Sequence, residues 1–164
     1  MATGEDISVL SLGGDGKSEP FLNSEHNERM PAPSPDGRWV AFVSDESGRN
    51  EVYVSPYPAS GARMPVSRAG GMDPVWAPSG RELFYRNGDS LMVARVNTGS
   101  GFRVMSRDLL FREDFVSAGF DVHPDGNTFL MTRVKRTHDT RWSSFSIGLR
   151  RCGGGWRSWG GDSR

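Results

Sequence analysis

Three short segments of the chain are apolar at consecutive rather than alternating positions: Val40-Ala41-Phe42-Val43, Leu83-Phe84-Tyr85 and Phe129-Leu130-Met131. A strand with one solvated face alternates apolar and polar residues, so consecutive apolar positions predict strands covered on both faces. A turn of one kind precedes each segment. The three read Pro33-Ser34-Pro35-Asp36-Gly37-Arg38, Ala77-Pro78-Ser79-Gly80-Arg81 and His123-Pro124-Asp125-Gly126-Asn127. Proline presets φ, Asp or Ser bonds back to the local backbone, and glycine supplies a positive φ. Pro35, Asp36 and Gly37, with their counterparts Pro78, Ser79, Gly80 and Pro124, Asp125, Gly126, are therefore predicted as structural hairpin turns that launch the next strand.

The turn prolines lie 43 and 46 residues apart, the size of one four-stranded propeller blade. Strands are predicted over Glu51-Val52-Tyr53-Val54 and, with proline at an edge, Arg63-Met64-Pro65-Val66-Ser67. The second unit continues with Asp73 to Trp76, Glu82 to Arg86, an Asn87-Gly88-Asp89 turn, Leu91 to Val96 and Phe102 to Leu110. Two further strands, Ile7-Ser8-Val9-Leu10 and Glu19-Pro20-Phe21-Leu22, precede the first turn, and no segment has an amphipathic helical period. The expected fold is all-β, an incomplete β-propeller of four-stranded antiparallel blades in the order half, two, half. Residues 1–30 are expected to be the second half of a preceding blade, 31–73 and 74–117 complete blades, and 118–134 the first half of another. Residues 135–164 are expected to be an aberrant, poorly ordered tail. A ring needs about four blades or more, so further blades, or self-association through the open blade faces, are expected to complete it.

Composition changes this picture little. Glycine (21) and proline (10) approach a fifth of the 164 residues, as suits a turn-rich β chain. No apolar run nears the roughly 20 residues of a membrane helix. Met1-Ala2-Thr3-Gly4-Glu5-Asp6 has neither the basic region nor the apolar core of a signal peptide. Cys152 is the single cysteine, which excludes an internal disulfide. The net charge of zero hides an asymmetry: from Arg133 onward there are 8 basic and 2 acidic residues, against 12 and 18 before it. A basic tail can mark nucleic-acid binding, but the repeat body is acidic and no nucleic-acid partner is expected.

Candidate chemistry is sparse. Ser11-Leu12-Gly13-Gly14-Asp15-Gly16-Lys17-Ser18 ends like a phosphate-binding loop. Ser11 stands where that loop needs its first glycine, however, and Pro20 opposes the following helix; a turn between outer strands is expected. His26, His123 and His138 accompany no Gly-x-Ser-x-Gly elbow, and neither His-Arg-Asp nor Asp-Phe-Gly is present. Asp45, Glu46 and Glu51 lack the spacing of a calcium loop. Trp39, Tyr53, Trp76, Phe84 and Tyr85 fall on buried strands, which favours core packing over base stacking. No catalytic, cofactor-binding or metal residue is expected, and no cofactor.

The Pro-Asp-Gly turn, Asp45-Glu46-Ser47-Gly48-Arg49-Asn50-Glu51-Val52-Tyr53-Val54 and Gly80-Arg81-Glu82-Leu83-Phe84-Tyr85-Arg86 resemble the TolB-type, WD-like propeller repeat. More narrowly they resemble the C-terminal propeller of bacterial multidomain serine/threonine protein kinases, over residues 5–134. The resemblance implies a non-enzymatic, periplasm-facing segment for protein–protein interaction or sensing. The competing expectation is the propeller of a prolyl-oligopeptidase-type serine peptidase without its hydrolase domain; a third is a non-functional gene fragment. The tail departs from the family pattern. One choice of codons for Arg141 to Cys152, read two bases later, gives Val-Val-Val-Val-Leu-Asn-Trp-Phe-Glu-Glu-Val, which resembles the family's ending. A frameshift upstream of Arg141 is the matching expectation, testable on the gene's own codons.

Overall fold

The structure is a computed structural model that describes residues 4–13, 16–58, 61–112, 115–133, 147–152 and 155–160. Among these there is no helix, and so none long and apolar enough to cross a membrane. Strands β1 (Ile7–Leu10) and β2 (Ser18–Leu22) form a two-stranded antiparallel sheet. The second sheet is β3 (Glu28–Pro33), β4 (Trp39–Ser44), β5 (Glu51–Pro56) and the two-residue β6 (Met64–Pro65). The third is β7 (Met72–Trp76), β8 (Glu82–Asn87), β9 (Ser90–Asn97) and β10 (Arg103–Arg112), each strand pairing with its sequence neighbours. β11 (Phe115–Val122) and β12 (Thr128–Arg133) open the fourth sheet.

The consecutive apolar runs do what their pattern predicts. On β4, Trp39, Ala41 and Val43 face the third sheet and join Trp76, Leu83, Tyr85, Ala94 and Phe102 in one core. The intervening Val40 and Phe42 face the other way, onto Ile7, Phe21 and Leu22 of the first sheet. On β8 the same split sends Leu83 and Tyr85 to the second sheet and Phe84 to Phe129 of the fourth. Four sheets thus stack face to face in chain order. Polar clasps reinforce the central contact: Trp76 Nε1 donates to Ala32 O at 3.0 Å, and Arg107 Nε donates to Val66 O at 2.5 Å.

The first strand of each repeat carries a feature that hydrophobic patterning does not show. Met30 and Asp73 have φ of 55° and 51°, and Gly119 has 82°. All three stand five residues before their turn proline, and the pairing register of β3, β7 and β11 shifts around them. The bulges extend these strands upstream, so they begin at Glu28, Met72 and Phe115, a few residues before the 31, 74 and 118 at which repeat spacing starts each blade.

The tail contributes a hairpin, β13 (Ile147–Cys152) and β14 (Gly155–Gly160), where repeat spacing places no strands. Its closing pair, Cys152 and Gly155, is separated by Gly153-Gly154, a sequence suited to a two-residue hairpin loop. Only Thr128↔Gly148 and Phe129↔Ile147 register it against β12. His138 and the first half of the Arg141–Cys152 stretch lie outside the described residues.

Candidate functional site

The repeat turns are three castings of one geometry. The amides of Gly37, Gly80 and Gly126 donate to the carbonyls of Ser34, Ala77 and His123 at 2.9, 2.9 and 2.8 Å. All three glycines have φ between 66° and 70°. A Cβ at Gly80 would stand 4.0 Å from Pro35 Cδ, and one at Gly126 3.9 Å from Pro78 Cδ. Successive turns therefore line up in a row, each glycine beside the previous turn's proline. Asp36 accepts from the Ser34 hydroxyl at 2.6 Å and from the Arg38 amide at 3.1 Å, and the Ser34 bond leads in holding its carboxyl down at about 2. Asp125 is lowered too, chiefly by the Asn127 amide at 2.7 Å. Ser79, in the same place, accepts from the Arg81 amide at 3.3 Å.

The remaining sequence candidates are dispersed. The phosphate-loop look-alike joins antiparallel β1 to β2, so no helix N-terminus follows it. Asp45 is bonded by the amide and side chain of Asn27, Glu46 by Arg63, and Glu51 by the Ser67 hydroxyl, the Gly70 amide and Arg49. Each of these carboxylates ties one loop to another. His123 stands 3.2 Å from Asp125 within its own turn, and His26 3.9 Å from Asp45. Among the described residues, no group of three or more His, Cys, Asp or Glu is placed to hold a metal ion.

One concavity brings charge together, and the sequence did not single it out. A cleft of about 580 Å³ lies between the start of β1 and the start of β3, lined by Glu5, Asp6, Ile7, Ser8, Glu28, Arg29, Met30 and Pro31. The Glu28 amide donates to Glu5 O at 2.6 Å, pinning the two strands at one end. Glu28 has a fully buried side chain. Its Oε1 meets Arg63 Nη1 at 2.7 Å and the Ser24 hydroxyl at 2.5 Å. Its Oε2 is buried with no hydrogen-bond partner, as is Arg29 Nε, which stands 3.6 Å from Glu5 Oε2. Arg63 also pairs with Glu46 at 2.8 Å and lies 5.9 Å from the centroid of the Phe42 ring.

No protein-family profile and no curated protein matches the chain in sequence. Solved structures do match in shape. TolB from Acinetobacter baumannii aligns at TM-score 0.59 and 14% identity, over 93% of this chain and 45% of that one. A chain of the nidogen/laminin complex aligns at TM-score 0.62 and 15% identity, over 96% and 59%. The fold is that of a TolB-type β-propeller. Oligogalacturonate lyase from Vibrio parahaemolyticus shares the architecture at TM-score 0.57 and 12% identity, over 75% and 34%. The chain spans between a third and three fifths of these propeller-containing structures, which accords with an incomplete ring of blades. Identities this low establish the fold and leave chemistry to the residues themselves.

Proposed function

We propose that the chain is a non-catalytic β-propeller segment that serves protein–protein interaction or sensing, as part of a larger bacterial kinase-linked or TolB-like assembly. The observation that carries this reading is how the polar side chains are used. The acidic residues flagged from sequence each bond a neighbouring turn, hydroxyl or arginine that holds the repeat together. The turn motif that recurs is itself a hairpin closure. The kinase link rests on the resemblance of the repeat segments over residues 5–134.

Two experiments test it. Purified chain incubated with oligogalacturonate, with and without manganese, is expected to give no unsaturated product; one of the similar propellers is an oligogalacturonate lyase solved with manganese. Turnover that co-purifies with the chain and scales with its concentration overturns the non-catalytic reading. The DNA on both sides of the gene tests the linkage. Kinase loops upstream in frame support it, whereas a Gly-x-Ser-x-Gly hydrolase downstream replaces it with the peptidase propeller.

A further inference from the structure

We propose that the free edge of β1 and the acidic cleft beside it accept an extended, basic peptide segment from a partner protein, which adds to the sheet as a third strand. This goes beyond the propeller reading and does not depend on the chain being non-catalytic.

The repeat assigns β1 its place. β5 and β9 occupy the third position of their sheets and are paired along both edges, whereas β1 pairs with β2 alone. An unpaired edge is a template for another strand unless it is blunted by proline, charge or a bulge. The true edges of the first three sheets are blunted. Prolines interrupt β2, β3, β6 and β7, and β10 carries arginines and two register shifts. β1 reads Ile7-Ser8-Val9-Leu10, with neither proline nor charge, and Leu10 is 56% exposed. It has the composition of an interior strand.

The cleft specifies what the added segment carries. Glu5, Asp6 and Glu28 against Arg29 leave it with a formal charge of −2, and the buried Glu28 Oε2 lacks a donor. The described acids are not grouped to hold a metal, so the donor comes from an N–H of the ligand. A lysine or arginine projecting from a segment laid along β1 supplies that donor and the opposite charge. Main-chain bonds then give affinity, and the basic side chain gives register.

The test uses the full chain and an acetylated, amidated Thr-Val-Arg-Val-Thr-Val-Lys peptide. Two controls accompany it: the same peptide with glutamate at both basic positions, and one N-methylated at alternate residues so that it cannot pair. The basic peptide is expected to bind saturably, to slow hydrogen exchange of residues 7–10, and to bind at least tenfold tighter than either control. Glu28→Gln is expected to lose about tenfold in affinity. Asp6→Asn, at the exposed rim, gives a smaller loss and covers the case in which the Glu28 variant does not fold. Equal binding of the acidic peptide, or binding without protection of residues 7–10, overturns the proposal. So does concentration-dependent self-association that protects those same amides without peptide, because the edge then belongs to a second copy.

Discussion

At the scale of single residues, the repeat is written in backbone dihedrals as much as in side chains. Met30, Asp73 and Gly119 share no chemistry, yet all adopt positive φ at the same offset from the turn. That is why the bulge was not legible in the sequence, while the turn, with its Pro and Gly, was. A non-glycine residue in this region costs about 1–2 kcal/mol, and Met30 is 39% exposed, so it forfeits little packing when removed. Met30→Gly is expected to leave stability unchanged or raise it by up to about 1 kcal/mol in urea unfolding, some of the strain relief being offset by glycine's unfolded-state entropy. A clear loss of stability would show that the Met30 side chain matters more than its φ. Asp36 gives a second test. Its folded pKa, about 2, lies below its ordinary 3.8, so it stabilises the fold above pH 4, and that contribution fades as pH falls toward 2. An NMR titration is expected to place its midpoint near 2 and to move it up toward 4 in Ser34→Ala. A wild-type midpoint near 4 would refute the Ser34 contact.

At the scale of elements, the apolar runs were legible because covering both faces leaves a visible mark: alternation disappears. Neighbouring residues on such a strand should be equally intolerant of truncation although they face different sheets. Leu83 and Phe84 are both 0% exposed, the first packed toward the second sheet and the second edge-on to Phe129 at 4.8 Å. Leu83→Ala is expected to cost about 2–5 kcal/mol and Phe84→Ala about 3–5 kcal/mol. On a strand with one solvated face, one of the two would be nearly silent. A urea midpoint for either variant within about 0.5 kcal/mol of the parent would therefore contradict the stacked arrangement. The cleft was less legible for an equally physical reason. Glu5, Asp6 and Glu28 are far apart in sequence and ordinary in isolation, and only the pin between the Glu28 amide and Glu5 O brings them to one place.

At the scale of the whole molecule, the four sheets form a row in which each touches only its neighbours. In such a row, stability is approximately a sum over sheets and nearest-neighbour interfaces. The second and third sheets are covered on both faces, whereas the first sheet is described by one core cluster on one face. Opening should therefore begin at the ends of the row and reach the middle last, with protection rising toward global stability in the central strands. Native-state hydrogen exchange is expected to rank the amides of β4, β5, β8 and β9 slowest, those of β1 and β2 faster by about tenfold or more, and those of β12 between them. The order has a physical cause that can be altered selectively. Phe42→Ala strips the contact between the first two sheets and should speed exchange in β1 and β2 far more than in β8 and β9. Leu83→Ala, in the shared central core, should instead speed exchange across both middle sheets together. Uniform protection along the chain, or equal acceleration everywhere by Phe42→Ala, would mean that the sheets open as one unit and that neighbour-by-neighbour stacking does not govern this propeller segment.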